Sequence, residues 1–268
     1  MSTENDISNS HRNRAAEKLK VPILTYHSID SSGSVISTAP DIFRRQMKYL
    51  SEAGYDAIPL RELAELLKSE TALRDKTVVL TFDDGFRNFY TEAFPVLSEY
   101  NFRATAFLVT DFCGKQNDWS GNPPDLPRSE LLSWQEVQEL DAYGFEFGSH
   151  TKTHPDLTKL TAAETEAEVV QSKAAIADAL GREPSTFAYP FGRHHAAIRR
   201  IAVANFDAAC STDLGKVTPQ SDFSSLNRID SYYLSNQRLF EMLQSSTFDN
   251  YMSFRQVMRN VKSLLSPG

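Results

Sequence analysis

Seven short apolar runs alternating with amphipathic stretches constrain this chain more than any other feature of its sequence. The runs are Val21 to Tyr26, Tyr55 to Ile58, Thr77 to Phe82, Ala104 to Val109, Phe145 to Gly148, Thr186 to Tyr189 and Phe206 to Ala209. Their lengths and their β-branched and aromatic content read as buried strands. Helical patterns fill the gaps at Ile42 to Glu52, behind Pro40-Asp41, at Arg61 to Lys68, and at Arg87 to Tyr100 with Pro95 inside it. Thr161 with Glu164 forms a capping box opening a long helix that Gly181 closes, and Ser133 with Glu136 does the same for Trp134 to Tyr143. Two further helices are expected after Asn236. This is the βα pattern of a parallel α/β fold, either a barrel or an open sheet.

With 268 residues and no apolar run long enough to span a bilayer, the chain is expected to form one large soluble domain over residues 21–268. Residues 1–20 read as a polar N-terminal tail. The basic stretch His11 to Lys20 is mixed with Asn and Glu and lacks aromatics, and a net charge of -7 argues against a nucleic-acid partner. The first twenty residues hold no apolar signal core, so a cytoplasmic location is expected, with an extracellular or periplasmic one open if a leader was removed. Cys113 and Cys210 are too few for a disulfide framework and read as free thiols. Oligomeric state is not set by the sequence.

Two blocks carry the chemistry: Thr81-Phe82-Asp83-Asp84-Gly85 and Ser149-His150-Thr151-Lys152-Thr153-His154. The first ends an apolar strand, and the strand ends of parallel α/β folds are where sites are built. Two adjacent carboxylates at a poorly hydrated edge do not both stay charged cheaply without a cation, so one aspartate for a metal and one for proton transfer is the natural division. His150 and His154 are four apart, which on a helical turn places two imidazoles on one face, within reach of one ion. Pro155 ends that turn. Two neutral imidazoles and a carboxylate, with positions left for water and substrate, make a catalytic donor set suited to Zn and also to Co, Ni or Mn. The one long irregular stretch, Asp111 to Arg128, is expected to wall the site.

In these motifs the chain resembles the polysaccharide deacetylases of carbohydrate esterase family four, from about Val21 to Asp230. The resemblance implies a distorted, incomplete (β/α) barrel that removes acetyl groups from a glycan with a divalent cation. It implies Asp83 as general base and Asp84, His150 and His154 as metal ligands. Tyr189-Pro190-Phe191-Gly192 is implied to line the site, with the N–H of Tyr189 or Phe191 beside the oxyanion position, since Pro190 has none.

The chain departs from the family pattern twice. Ala188 stands where an arginine usually orients the base, and Arg193 and Arg228 are the candidates to replace it. Leu226-Asn227-Arg228 carries arginine where the family has the histidine of its general acid. Leu24-Thr25-Tyr26-His27 instead resembles the first strand of the branch acting on poly-N-acetylglucosamine and related exopolysaccharides, which implies His27 as the acid. Hydrolysis would then use cation-activated water, with Asp83 taking its proton and His27 protonating the leaving sugar nitrogen. Trp119, among Asn, Asp, Ser and Gly, is a candidate for stacking on a sugar, whereas Trp134 is expected in the core. His194 and His195 open a helix and read as capping or exposed residues. Two other classes stay open: a metal-dependent hydrolase of small non-peptide amides, and a catalytically impaired barrel that binds glycans.

Overall fold

The computed structural model describes residues 20–265 apart from 70, 72, 75 and 123–125, so the expected tail lies outside the described residues save for Lys20. The strands are β1 (Ile23–Tyr26), β2 (Ser28–Ile29), β3 (Ser37–Thr38), β4 (Asp56–Ile58), β5 (Thr77–Phe82), β6 (Thr105–Leu108), β7 (Glu146–Ser149), β8 (Thr186–Ala188), β9 (Ala208–Leu214) and β10 (Leu226–Asp230). The helices are α1 (Pro40–Glu52), α2 (Leu60–Lys68), α3 (Phe94–Glu99), α4 (Trp134–Ala142), α5 (Ala162–Leu180), α6 (Ala196–Asn205), α7 (Gln237–Phe240) and α8 (Ser246–Leu265). Both capping boxes form, and Gly181 closes α5 in the left-handed conformation. The helix expected over Arg87 to Tyr100 opens instead as a wide turn, Phe89–Ala93, before α3. Pro95 has no N–H to give to an i−4 carbonyl, which favours that wider start.

The parallel strands run in the order β1-β10-β9-β8-β7-β6-β5, and β1 pairs again with β5, closing a seven-stranded barrel. β4 pairs with the first half of β5 and β6 with its second half, so β4 is an eighth strand outside the ring. This is the distorted (β/α) barrel the family resemblance implied. β10 was not foreseen. Inside the barrel, Ile23, Val79, Phe107, Ala188, Ala208, Cys210 and Leu226 pack together with Leu60, Leu63, Ala64 and Leu67 of α2, which plugs the end where the strands begin. Gly148 makes room for this filling, because a Cβ there would lie 2.6 Å from both the Phe107 ring and Thr186 Oγ1. A larger cluster, including Leu24, Tyr26, Phe82, Phe43 and Met47, seats helices on the outside.

The ring is irregular at one place that matters to the site. Leu226 is opposite Cys210 but Arg228 is opposite Leu214, so β9 carries extra residues between two consecutive pairings. Such a bulge releases backbone groups from the ladder. Here Ser211 O, freed in this way, accepts the Nε–H of Arg228 at 2.9 Å. No helix among the described residues is long and apolar enough to cross a membrane.

Candidate active site

The side chains singled out in both motifs meet at the barrel end where the strands stop. Asp83 extends β5 by one more ladder bond, its N–H donating to Tyr26 O at 2.9 Å. Asp84 and Gly85 follow with φ of 71° and 70°, two left-handed residues in succession that turn the chain sharply at the barrel mouth. His150 leaves β7 with its Nδ1 2.8 Å from Ala188 O. That bond fixes Nδ1 as the donor and leaves Nε2 free to ligate.

The helical turn expected for His150 to His154 is not there. Thr151 and His154 take φ of 69° and 59°, and a loop brings the two rings together. A residue not picked out from sequence holds this loop: Glu168 of α5 accepts from Lys152 N, Thr153 N and Thr153 Oγ1 at 2.7–2.9 Å. Asp84 Oδ1 lies 3.4 Å from His150 Nε2 and 3.3 Å from His154 Nε2. The three ligand atoms all fall within 4.8 Å of one another, and all three residues are buried. This donor set fits a divalent metal ion.

Electrostatics separate the two aspartates. Asp83 receives both guanidinium arms of Arg228, at 2.7 Å each, and Arg228 is itself 1% exposed. Burial would raise the Asp83 carboxyl, but Arg228 and nearby His150 outweigh it and hold it far below the usual carboxylate range. Asp84 is lowered as well: burial opposes, and contact with His150 and the charge of His154 prevail. Burial pushes His154 down to about 4, whereas for His150 the hydrogen bond to Asp84 and the Asp83 charge overcome burial and raise it.

Of the two arginines proposed to replace the family's, Arg228 contacts Asp83, while Arg193 pairs with Asp156 at 2.6 Å on the surface. His27, at the end of β1, places Nε2 3.9 Å from Asp83 Oδ2 with part of its ring open to solvent. Tyr189 does not offer its N–H, which goes to Cys210 O at 3.1 Å, and its hydroxyl turns away to Ser224 O. Among the described residues the Phe191 N–H, next to Pro190, has no protein acceptor, and the Phe191 ring sits 4.7 Å from that of His154.

Trp119, the candidate for stacking on a sugar, is largely buried and lines a cavity beside the site with Phe112, Phe191 and Arg193. Its ring packs 5.4 Å from Phe112 and 4.8 Å from His154, so the loop walls the site through contacts the local sequence did not reveal. Trp134 packs partly buried against the outer core. His194 bonds Ser225 Oγ, His195 is exposed, and both cysteines are free.

A sequence model of polysaccharide deacetylases matches residues 70–205, half of the chain. A Bacillus subtilis (strain 168) protein, named provisionally as a polysaccharide deacetylase, is 28% identical over 211 residues, covering 78% of this chain and 71% of that protein. The poly-β-1,6-N-acetyl-D-glucosamine N-deacetylase of Staphylococcus aureus (strain MRSA252) is 25% identical over 231 residues, 82% of this chain and 76% of its own length. Among solved structures, the Streptococcus pyogenes deacetylase PplD in complex with acetate aligns with a TM-score of 0.70 at 28% identity, over 79% of this chain and 92% of that one. Motifs, barrel and buried Asp-His-His group agree with these likenesses, and the chain belongs to the polysaccharide deacetylase family.

Proposed function

We propose that this chain is a metal-dependent hydrolase that removes acetyl groups from N-acetylated sugars of a polysaccharide or oligosaccharide. The observation that carries this reading is the division of two adjacent buried carboxylates, Asp83 to Arg228 and Asp84 to the two histidines. Asp84, His150 and His154 would hold the cation, with zinc first among the ions that this donor set suits. When bound, a divalent cation supplies Lewis acidity to the acetyl carbonyl and makes a water acidic enough for a weak base. Arg228 keeps Asp83 ionised and fixes both its oxygens, so Asp83 accepts the proton as the water attacks. The N–H of Phe191 is free to donate to the oxyanion. His27, 3.9 Å from Asp83, carries the proton on to the departing sugar nitrogen, giving acetate and a free amine.

Acetate release from N-acetylglucosamine oligomers tests this, with zinc-loaded protein, a chelated control and Asp83→Asn in parallel. Release is expected only with the cation, and Asp83→Asn should retain the cation while losing roughly 10²–10⁴ in turnover. Near-normal release by that variant would remove Asp83 from the role of base.

A further inference from the structure

The last helix, α8, has two unlike faces. Phe248 and Met252 of its first turns are buried in the outer core. Lys20 and Lys216 each reach Asp249 at 2.8 Å, Gln256 accepts from Leu214 N, and Arg259 donates to Thr212 O. Phe254, Val257, Met258, Val261 and Leu265 face the other way and are 44% to 78% exposed. Their spacing of i, i+3, i+4, i+7 and i+11 draws one stripe along the helix. They are five of the twelve large apolar side chains exposed among the described residues; of the others, Val35, Tyr232 and Met242 line one groove, which Tyr251 and Arg255 of α8 border.

We propose that this stripe lies in the headgroup layer of an anionic lipid bilayer and docks the protein on a membrane surface. Charge favours that occupant: residues 250–268 contain Arg255, Arg259 and Lys262 and no acid, in a chain whose net charge is -7. Lys262 is exposed beside the stripe, while Arg255 stacks on Tyr233 and Arg259 is tied to β9. Area disfavours a second copy. Residues 254–265 span roughly 18 Å of helix, a strip on the order of 200–300 Å², whereas a stable dimer buries about 800 Å² on each partner. The chain's own first nineteen residues are a poor cover, since Met1, Ile7 and Leu19 are their only large apolar side chains. An amphipathic helix of this kind lies in the interface and does not cross it. Because α8 is fastened to Thr212 and Leu214 at the end of β9, docking holds the candidate active site near that surface. The inference is independent of the chemistry proposed above.

Cosedimentation of the full chain with vesicles tests it, using phosphatidylglycerol with phosphatidylethanolamine against phosphatidylcholine alone. Most of the protein should pellet with the anionic vesicles and about tenfold less with the zwitterionic ones. Val257→Asp with Val261→Asp should abolish pelleting, and Lys262→Glu should weaken it while leaving the apolar stripe and the fold untouched. Wild-type protein that stays in solution with every vesicle, or a double variant that pellets equally well, would overturn the proposal. So would a concentration-dependent dimer in sedimentation velocity that the double variant dissolves, since that assigns the stripe to a second copy.

Discussion

The two ends of this barrel each bury a carboxylate, and they treat it in opposite ways. At the plugged end Glu146, 5% exposed, accepts from the hydroxyls of Thr105 and Thr186 and from the N–H of Arg61 in the first turn of α2, all at 2.7–2.9 Å. Neutral donors and a helix N-terminus satisfy it and fasten the plug to the barrel. At the open end Asp83, 3% exposed, is held by a buried cation beside a second carboxylate and three histidines. Backbone strain gathers at the open end too. Asp84, Thr151, His154 and Phe191 are four of the five non-glycine residues with positive φ among those described. Among the described residues, three of the four buried side-chain atoms without a protein partner, on Thr110, Trp119 and His154, are there as well. One end is built to stay shut, and the other gathers left-handed backbone and buried polar groups that no protein atom satisfies, the pattern of a functional site.

The sharpest way to break this contrast is to remove the cation at the open end. Arg228→Met leaves Asp83 as an uncompensated buried charge, and a loss of about 3–5 kcal/mol is expected in urea unfolding, together with loss of turnover. Asp83→Asn added to Arg228→Met should recover much of the stability and none of the activity. A single variant as stable as wild type would show that Asp83 is less dependent on its partner than the two 2.7 Å bonds imply.

At the plugged end the expected loss is smaller and of another kind. Glu146→Gln turns part of a pure acceptor into a donor facing two hydroxyls and an amide, which should cost about 1–3 kcal/mol. Acetate release per folded molecule and cation affinity should be unchanged, because no site residue touches Glu146. If Glu146→Gln lowered turnover as far as Asp83→Asn does, the division of labour between the two ends would fail.

What the sequence made legible follows from range. Asp83, Asp84, His150 and His154 stand in short blocks at the ends of apolar strands, so their meeting at one barrel end could be read from strand periodicity alone. β10 could not. Its sequence Leu-Asn-Arg-Ile-Asp places a buried arginine where an inward apolar residue is expected, and the slip against β9 breaks the alternation. The burial of Trp119 was not legible because its sequence neighbours are polar, while its neighbours in space are Phe112 and His154. The histidine pair suggested a helical turn because spacing of four is the helix's signature, yet left-handed Thr151 and His154 reach the same convergence by another route. Glu168, which pins that loop from a helix fourteen residues further on, left no local signal.

The smallest expected effect concerns protons at the open end of the chelated protein. Buried His154 takes up its proton only near about 4, whereas in the unfolded chain it does so near its ordinary value of 6.5. Across that window the unfolded state binds more protons, so stability is complete above 6.5 and declines as pH falls towards 4. His150 is shifted the other way by Asp84 and Asp83, so its contribution is already complete below its unfolded value and adds no loss in this range. Between pH about 7 and about 5, before most carboxylates titrate, His154 should remove up to about 2 kcal/mol. Urea unfolding at both pH values, for chelated wild type and chelated His154→Asn, isolates it. The variant should show a clearly flatter dependence. An identical slope in the two proteins would mean that His154 binds its proton in the fold as readily as in the unfolded chain, and that burial at the open end does not keep its imidazole neutral.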